Sequence, residues 1–256
     1  MINIDNIKSF FNLEDNIIVL EETDSTNNYA KKLAQNGEVT GTVVIAKTQT
    51  AGKGRLGRSF CSPPGTGLYM SIILRLDYDL ETVSLLTSCM SVAASRAIDK
   101  LYGTDMKIKW VNDLYLNGKK ISGILTESAV NAEGKPDFAV VGIGVNVKSI
   151  KKDFSDDLLE TASSLEDETG KVFPLGQIAA EIVNELKKLL PKLPKAEFIE
   201  EYRRRSCIIG SDVLISKQGR EPIAKAVAID DRAGLIVEYS DGSRETLTSG
   251  EARIKK

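Results

Sequence analysis

The sequence predicts an α+β fold, a mixed sheet with helices followed by a small all-β module, on three observations. First, β-branched and apolar runs at 17–22, 42–48 and 67–76 are interleaved with segments of helical spacing. Second, Asn117-Gly118 lies between two strand-like runs, the strongest short hairpin signal a sequence carries. Third, from residue 208 onward short β runs alternate with Gln-Gly, Ala-Gly and Asp-Gly turns, without helical periodicity. These observations put a main domain at residues 1–207 and a β module at 208–256.

The elements follow in order. IIVLEE (17–22) suits a first strand, and Asp24-Ser25 offers an N-cap to a helix over TNNYAKKLAQN that Gly37 stops. Strands at 42–48 and 67–76 flank a glycine-rich loop. Residues 80–101 carry apolar side chains at 83, 86, 90, 93, 97 and 101, which predicts one long amphipathic helix ending before Gly103. KIKW (107–110), the hairpin DLYLNGKKISGILTES and FAVVGIGVNV (138–147) add strands. PLGQIAAEIVNELKKLL (174–190) and KAEFIEEYRRRSC (195–207) read as helices. Arg203, Arg204 and Arg205 then read as a solvated helix end matched to the dipole. The β module is near the lower size limit for a core of its own and is expected to pack on the main domain.

Composition excludes several classes of function. The 256 residues are 42% hydrophobic and 27% charged, with a net charge of -2, an ordinary soluble balance that argues against a general nucleic-acid or membrane-surface binder. No stretch reaches the roughly 18 apolar residues that span a bilayer, and no signal peptide opens the chain, so a cytoplasmic location is expected. Cys61, Cys89 and Cys207 lack metal-ligand spacing and read as reduced thiols. Histidine is absent, which removes Ser-His and Cys-His nucleophilic pairs and imidazole metal clusters.

The loop QTAGKGRLGR (49–58) contains the string G-x-G-x-x-G at Gly52, Gly54 and Gly57, the dinucleotide fingerprint. A strand precedes it, but Pro63-Pro64-Gly65 and Gly67 forbid the helix whose N-terminus would hold a pyrophosphate. The Rossmann reading is rejected. Lys53, Arg55 and Arg58 among three glycines suit an anion-binding loop, because glycines let backbone N–H groups approach phosphate oxygens. A solvated basic hairpin fits the composition about equally well.

Four segments read together: ETDSTN (22–27), TQTAGKGRLGR (48–58), KWVNDLYLNGKKISGILTE (109–127) and GIGVNV (142–147). In this order and spacing the chain, from about residue 20 to its end, resembles the biotin–protein ligases. The resemblance implies a class II aminoacyl-tRNA-synthetase-like catalytic domain with a C-terminal SH3-like β-barrel. It also implies a two-step reaction. Biotin's carboxylate attacks the α-phosphate of ATP, giving biotinyl-5′-AMP and pyrophosphate, and a lysine of a biotin carboxyl carrier domain then takes the biotinyl group. Mg2+ is expected on the ATP phosphates, with no histidine or cysteine ligand from the protein. Like charges brought to about 3–4 Å repel by several kcal/mol at an effective dielectric near 20, so cations must offset them.

Residue by residue, the resemblance places Ser25, Thr26, Asn27 and Gln49 around the biotin ureido ring. Arg55 would meet the biotin carboxylate and the acyl phosphate, and Lys120 the biotin carbonyl; with Lys109 they form the expected catalytic set. Gly123 would let the backbone approach biotin. Gly52, Lys53, Gly54, Gly57, Arg58, Phe60, Asn112, Asp113 and Asn146 are expected on the nucleotide, Asn146 reading the adenine edge. Lys119, next to Lys120, should face the other way, and Trp110 reads as core. Three positions depart from the family pattern: Lys53 stands for an arginine, Phe60 for a stacking tryptophan, and Val111 for the proline before Asn112.

Fewer than 25 residues precede ETDSTN, which leaves no room for the winged-helix domain of bifunctional members, so a ligase that does not bind DNA is expected. Monomer and homodimer both stay open. Two other functions compete: lipoate or octanoate attachment, and a non-catalytic module that binds the adenylate. Retention of Arg55 and Lys120 speaks against the second. Residues 50–66 are expected to be mobile when empty and to order over the acyl-adenylate.

Overall fold

The computed structural model describes residues 5–12, 14–216 and 222–255. Its elements are α1 (Asp5–Lys8), β1 (Ile17–Thr23), α2 (Thr26–Gln35), β2 (Val43–Gln49), β3 (Gly67–Leu74), α3 (Leu80–Ser84) and α4 (Leu86–Tyr102). Next come β4 (Lys107–Lys109), β5 (Asp113–Leu116), β6 (Lys119–Val130), β7 (Pro136–Asn146), α5 (Asp156–Leu159), α6 (Leu165–Thr169), α7 (Leu175–Leu189) and α8 (Ile199–Arg205). The C-terminal strands are β8 (Asp212–Ile215), β9 (Ile223–Ile229), β10 (Leu235–Glu238), β11 (Arg244–Leu247) and β12 (Ala252–Ile254).

Seven strands form one mixed sheet in the order β1-β2-β3-β7-β6-β5-β4. Only β1 and β2 in it run parallel, as the α2 crossover between them requires. Asn117 and Gly118 both take positive φ (50° and 78°), the two-residue turn that their sequence predicts between β5 and β6. Alternation divides the sheet between two layers. Val43, Ile45, Met70, Ile72, Val141 and Ile143 join the large core under α4 and α7, whereas Val44, Ile73, Phe138 and Val140 meet Ala30 and Ala34 of α2 on the other face.

The second sheet, β11-β10-β9-β8-β12, is antiparallel throughout. Its inward residues Val213, Ile215, Leu235 and Val237 continue the large core, so the C-terminal unit packs on the main body. The Asp241-Gly242 turn closes β10 to β11 with Gly242 at φ 82°. The Gln218-Gly219 turn lies outside the described residues. Among the described residues no helix is long and apolar enough to cross a membrane.

Two helices depart from expectation. The predicted helix over 80–101 breaks at Leu85 into α3 and α4, and α4 is buried almost all round, because α7 and α8 pack on the side away from the sheet. The helix predicted over 195–207 begins only at Ile199, since Pro191 and Pro194 hold residues 190–195 in a tight turn and Ser206 and Cys207 leave to pair with Ile108. Nor are its arginines a solvated end. Arg205 is buried in ion pairs with Asp99 at 2.6 Å and Glu201 at 2.9 Å, and Arg203 donates to the Ile229 carbonyl at 2.7 Å. Only Arg204 of the three is largely exposed.

Candidate active site

The cleft lies on the α2 face of the large sheet, beyond the N-terminus of that helix. Residues 138, 140, 142 and 144 share this face of β7. Phe138 and Val140 fill the space under α2, and Gly142 and Gly144 leave the sheet bare beyond it. A Cβ on Gly142 would stand 2.1 Å from Asn27 Oδ1, and one on Gly144 2.4 Å from Phe60 Cε1. Gly123 of β6 pairs with Gly144, so the floor is backbone from two strands.

The first turn of α2 makes a polar wall. Ser25 occupies the N-cap position, yet its hydroxyl caps nothing; Asp24 instead accepts from the Ser25 N–H at 2.7 Å. Gln49 Oε1 accepts from the Thr26 N–H at 2.8 Å and lies 3.1 Å from the Thr26 hydroxyl, while its amide nitrogen donates to Ser62. Behind them Ser71, wholly buried in β3, stands 2.7 Å from Thr26 Oγ1 and 2.6 Å from Asn27 Oδ1. Asn27 Nδ2 donates to the Leu125 carbonyl at 3.2 Å and to Glu127 at 2.8 Å, and Lys31 pairs with Glu127 at 2.6 Å.

The opposite end is cationic. The loop after β2 folds into a small hairpin, with the Gly54 N–H on the Arg58 carbonyl and the Phe60 N–H on the Gly52 carbonyl. It sends Lys53, Arg55 and Arg58 into the cleft, where Lys109 and Lys120 meet them from the strands. Five cations thus face two lining carboxylates, Asp113 and Glu251. Lys120 Nζ is 2.8 Å from Asp113 Oδ1, a charge contact without good hydrogen-bond alignment. Arg58 holds Glu251 bidentately at 2.8 and 2.6 Å, and Lys53 donates to Asn28 at 2.6 Å. Arg55 donates to Asn112 Oδ1 at 3.3 Å; burial pulls its guanidinium below the ordinary value, against the opposing pull of Asp113, and it stays charged. Lys119 instead reaches out to the Leu159 carbonyl at 2.9 Å, the asymmetry that strand alternation requires.

The turn between β4 and β5 is tied from several sides. Asn112 bonds Ile124 through both its side chain and its carbonyl, and the buried Tyr202 hydroxyl donates to the Val111 carbonyl at 2.9 Å. Trp110, buried as its position predicts, also touches the cleft, and its indole N–H donates to the Ala233 carbonyl at 2.8 Å. The Trp110–Val111 peptide is cis.

Of the residues expected at the site, Gly52, Gly57 and Asn146 do not line the cleft. Gly52 packs inside the loop, where a Cβ would strike the Phe60 carbonyl at 2.4 Å, and Gly57 forms its tip at φ 75°. Asn146, buried at the end of β7, donates to the Ser163 carbonyl at 3.0 Å. The others converge. Sequence reasoning missed Ser71, Glu127 and Glu251, whose contacts are long-range, and also Gly142 and Gly144, although the spacing G-I-G on a strand signalled two side-chain-free positions on one face.

The sequence matches the biotin/lipoate A/B protein ligase family over residues 19–146. The bifunctional ligase/repressor BirA of Bacillus subtilis is 33% identical over 239 residues, 91% of this chain and 72% of that protein. The biotin–[acetyl-CoA-carboxylase] ligase of Mycobacterium tuberculosis is 29% identical over 90% of this chain and 85% of its own. The structure of biotin protein ligase from Aquifex aeolicus in complex with biotin and ATP superposes with a TM-score of 0.78 at 27% identity, over 94% of this chain and 99% of that one. The family match runs from β1 to the end of β7, the strands that build the cleft floor and its polar wall, and the chain belongs to the biotin/lipoate A/B protein ligase family.

Proposed function

We propose that this chain is an ATP-dependent biotin–protein ligase. The observation that carries the reading is one cleft with a neutral polar wall at one end and five cations at the other, joined by a glycine floor. A uniformly charged site would serve a nucleotide alone. Here a neutral bicyclic head group fits the wall of Ser25, Thr26 and Gln49, and its carboxylate reaches the charged end beside the triphosphate. Relatives with biotin, ATP or both in their structures, or biotin ligation in their names, support the substrate.

In the first step a biotin carboxylate oxygen bonds to the α-phosphorus and pyrophosphate leaves with the electron pair. Arg55 offsets the charge where the two anions meet, and Lys120 stabilises the carbonyl oxygen. In the second, the amine of a carrier lysine attacks the acyl carbon and AMP departs. Mg2+ would arrive on the triphosphate and neutralise part of its charge. Asp113 and Glu251, each already paired with a cation, are the lining carboxylates that could add a ligand. Closure of residues 50–66 over the acyl-adenylate would keep water from the anhydride. We assign residues 1–207 as the catalytic domain and 208–256 as a β domain that lends Glu251 to the site. Three free cysteines and a pI near 5.5 support work in the cytoplasm without nucleic acid.

The test is biotin-dependent exchange of labelled pyrophosphate into ATP, run beside lipoate and octanoate. Exchange with biotin alone, lost by at least about a hundredfold in Arg55→Ala and Lys120→Ala, is the expected result. Exchange with lipoate instead, or biotin binding with no exchange, would overturn it.

A further inference from the structure

Arg55 sits on a loop, and the backbone bonds inside that loop leave the torsions of its long side chain to be settled from outside. The guanidinium donates to Asn112 Oδ1 at 3.3 Å. Asn112 lies in the turn between β4 and β5, and the direction of its amide has one solution. Its Nδ2 donates at 2.8 Å to the Ile124 carbonyl, an oxygen that only accepts, while the guanidinium on its other side only donates. The amide therefore stands with its nitrogen toward β6 and its oxygen toward Arg55. Turned over, it would lose both contacts.

The turn that carries Asn112 is itself held from three elements. The Asn112 carbonyl accepts from the Ile124 N–H of β6 at 3.0 Å. One residue earlier, the Val111 carbonyl accepts from the Tyr202 hydroxyl of α8 at 2.9 Å, and one before that the Trp110 indole N–H reaches the Ala233 carbonyl between β9 and β10. Tyr202 is wholly buried. Burial pushes its phenol well above the ordinary value, against the opposing pull of Arg55, so the hydroxyl keeps the proton it donates at any working pH.

Charge separates Asn112 from the partners of two other cations in the cleft. Arg58 and Lys120 are met by the carboxylates of Glu251 and Asp113. A carboxylate hydrogen-bonded to Arg55 would compete with arriving anions for it, whereas a neutral amide fixes its direction and leaves the positive charge in place. We propose that Asn112 is a positioning residue that acts through Arg55, braced from α8 by Tyr202, so that the guanidinium is aimed before the two anions meet. The inference rests on the ligase reading of the cleft. It gives Asn112 a part different from the nucleotide contact that the family resemblance implies.

A double-mutant cycle in biotin-dependent pyrophosphate exchange, run on the full chain, tests this. Asn112→Ala is expected to lower the exchange rate about tenfold with Arg55 present, since a misdirected group loses much of its contact with the transition state. In the Arg55→Ala background, assayed at proportionally higher enzyme, the same change should cost less than about twofold, because nothing is left to aim. Tyr202→Phe keeps the ring in the core and removes the donor. It should follow the same pattern on a smaller scale, a loss of about threefold with Arg55 present and none without it. Equal factors in the two backgrounds would mean that these residues meet the substrate themselves or only hold the fold, and would overturn the proposal; so would wild-type rates in both single variants. Should Asn112→Ala fail to fold, the Tyr202→Phe cycle decides alone. Absence of exchange in the wild type would instead overturn the ligase reading, before any variant is made.

Discussion

Gly123 on β6 and Gly144 on β7 are register partners, and the ring of Phe60 lies on both. A Cβ at Gly144 would stand 2.4 Å from Phe60 Cε1, and one at Gly123 would stand 3.4 Å from Cε2. Phe60 meets Tyr69 edge-on at 6.4 Å, so the ring is wedged between a backbone floor and an aromatic wall. This joins the mobile-looking loop of the sequence to the most regular part of the sheet.

Gly144→Ala tests whether that seat matters. The clash falls on the far end of a side chain, so the ring shifts while the strands stay. The expected outcome is a KM for ATP raised by about tenfold, with the thermal midpoint within a few degrees of wild type. Steady-state pyrophosphate exchange and a thermal melt separate the two effects. A large fall in the midpoint would show that the glycine serves strand packing instead.

The Arg58–Glu251 pair links the phosphate loop to the C-terminal strands. Its arginine is 64% exposed, so the pair contributes at most about 1 kcal/mol. If Arg58 turns to the triphosphate, Glu251 competes for it in the empty enzyme. Glu251→Gln is then expected to lower the KM for ATP by up to about fivefold, and Arg58→Ala to raise it. Initial rates against ATP at saturating biotin decide; a higher KM in Glu251→Gln would mean that the carboxylate belongs to the bound state.

Trp110 fastens the two sheets, because its indole N–H reaches the Ala233 carbonyl in a buried contact at 2.8 Å. Trp110→Phe keeps most of the packing and removes the donor, which leaves that carbonyl unpaired at a cost of about 1–3 kcal/mol. Urea unfolding followed by circular dichroism should show a lower midpoint. Tryptophan fluorescence cannot report it, since Trp110 is the chain's one tryptophan. An unchanged midpoint would remove the indole bond from the account of how the C-terminal unit is held.

What the sequence made legible follows the range of the forces involved. The strands, the Asn117-Gly118 turn and the opposite directions of Lys119 and Lys120 depend on neighbours in sequence, and all were readable. Convergence of Arg55, Asn112 and Lys120 was readable only because separated motifs matched a family pattern. Ser71 was invisible: one serine in an apolar strand signals nothing until α2 brings Thr26 and Asn27 over it. Arg205 was misread for the same reason, since its partner Asp99 lies on α4 and local charge patterning offers only the helix end.

That misreading leads to a prediction about acid stability. Glu201 sits between Arg96 at 2.5 Å and Arg205 at 2.9 Å. Burial pushes its carboxyl up, but the hydrogen bonds and charge of Arg96 and Arg205 outweigh this, so it titrates below its ordinary 4.5. A carboxyl with a depressed folded-state pKa adds stability that is present above its unfolded value and disappears as pH falls through the folded one. Glu201→Gln removes that contribution and leaves Arg205 paired only with Asp99. At pH 7 the variant is expected to be about 2 kcal/mol less stable, short of the full penalty for breaking a buried pair because one partner remains. The gap should narrow once the pH drops below 4.5. Paired urea titrations from pH 7 down to the acid transition measure the difference; a gap that stays constant across that range would mean Glu201 acts through packing rather than charge.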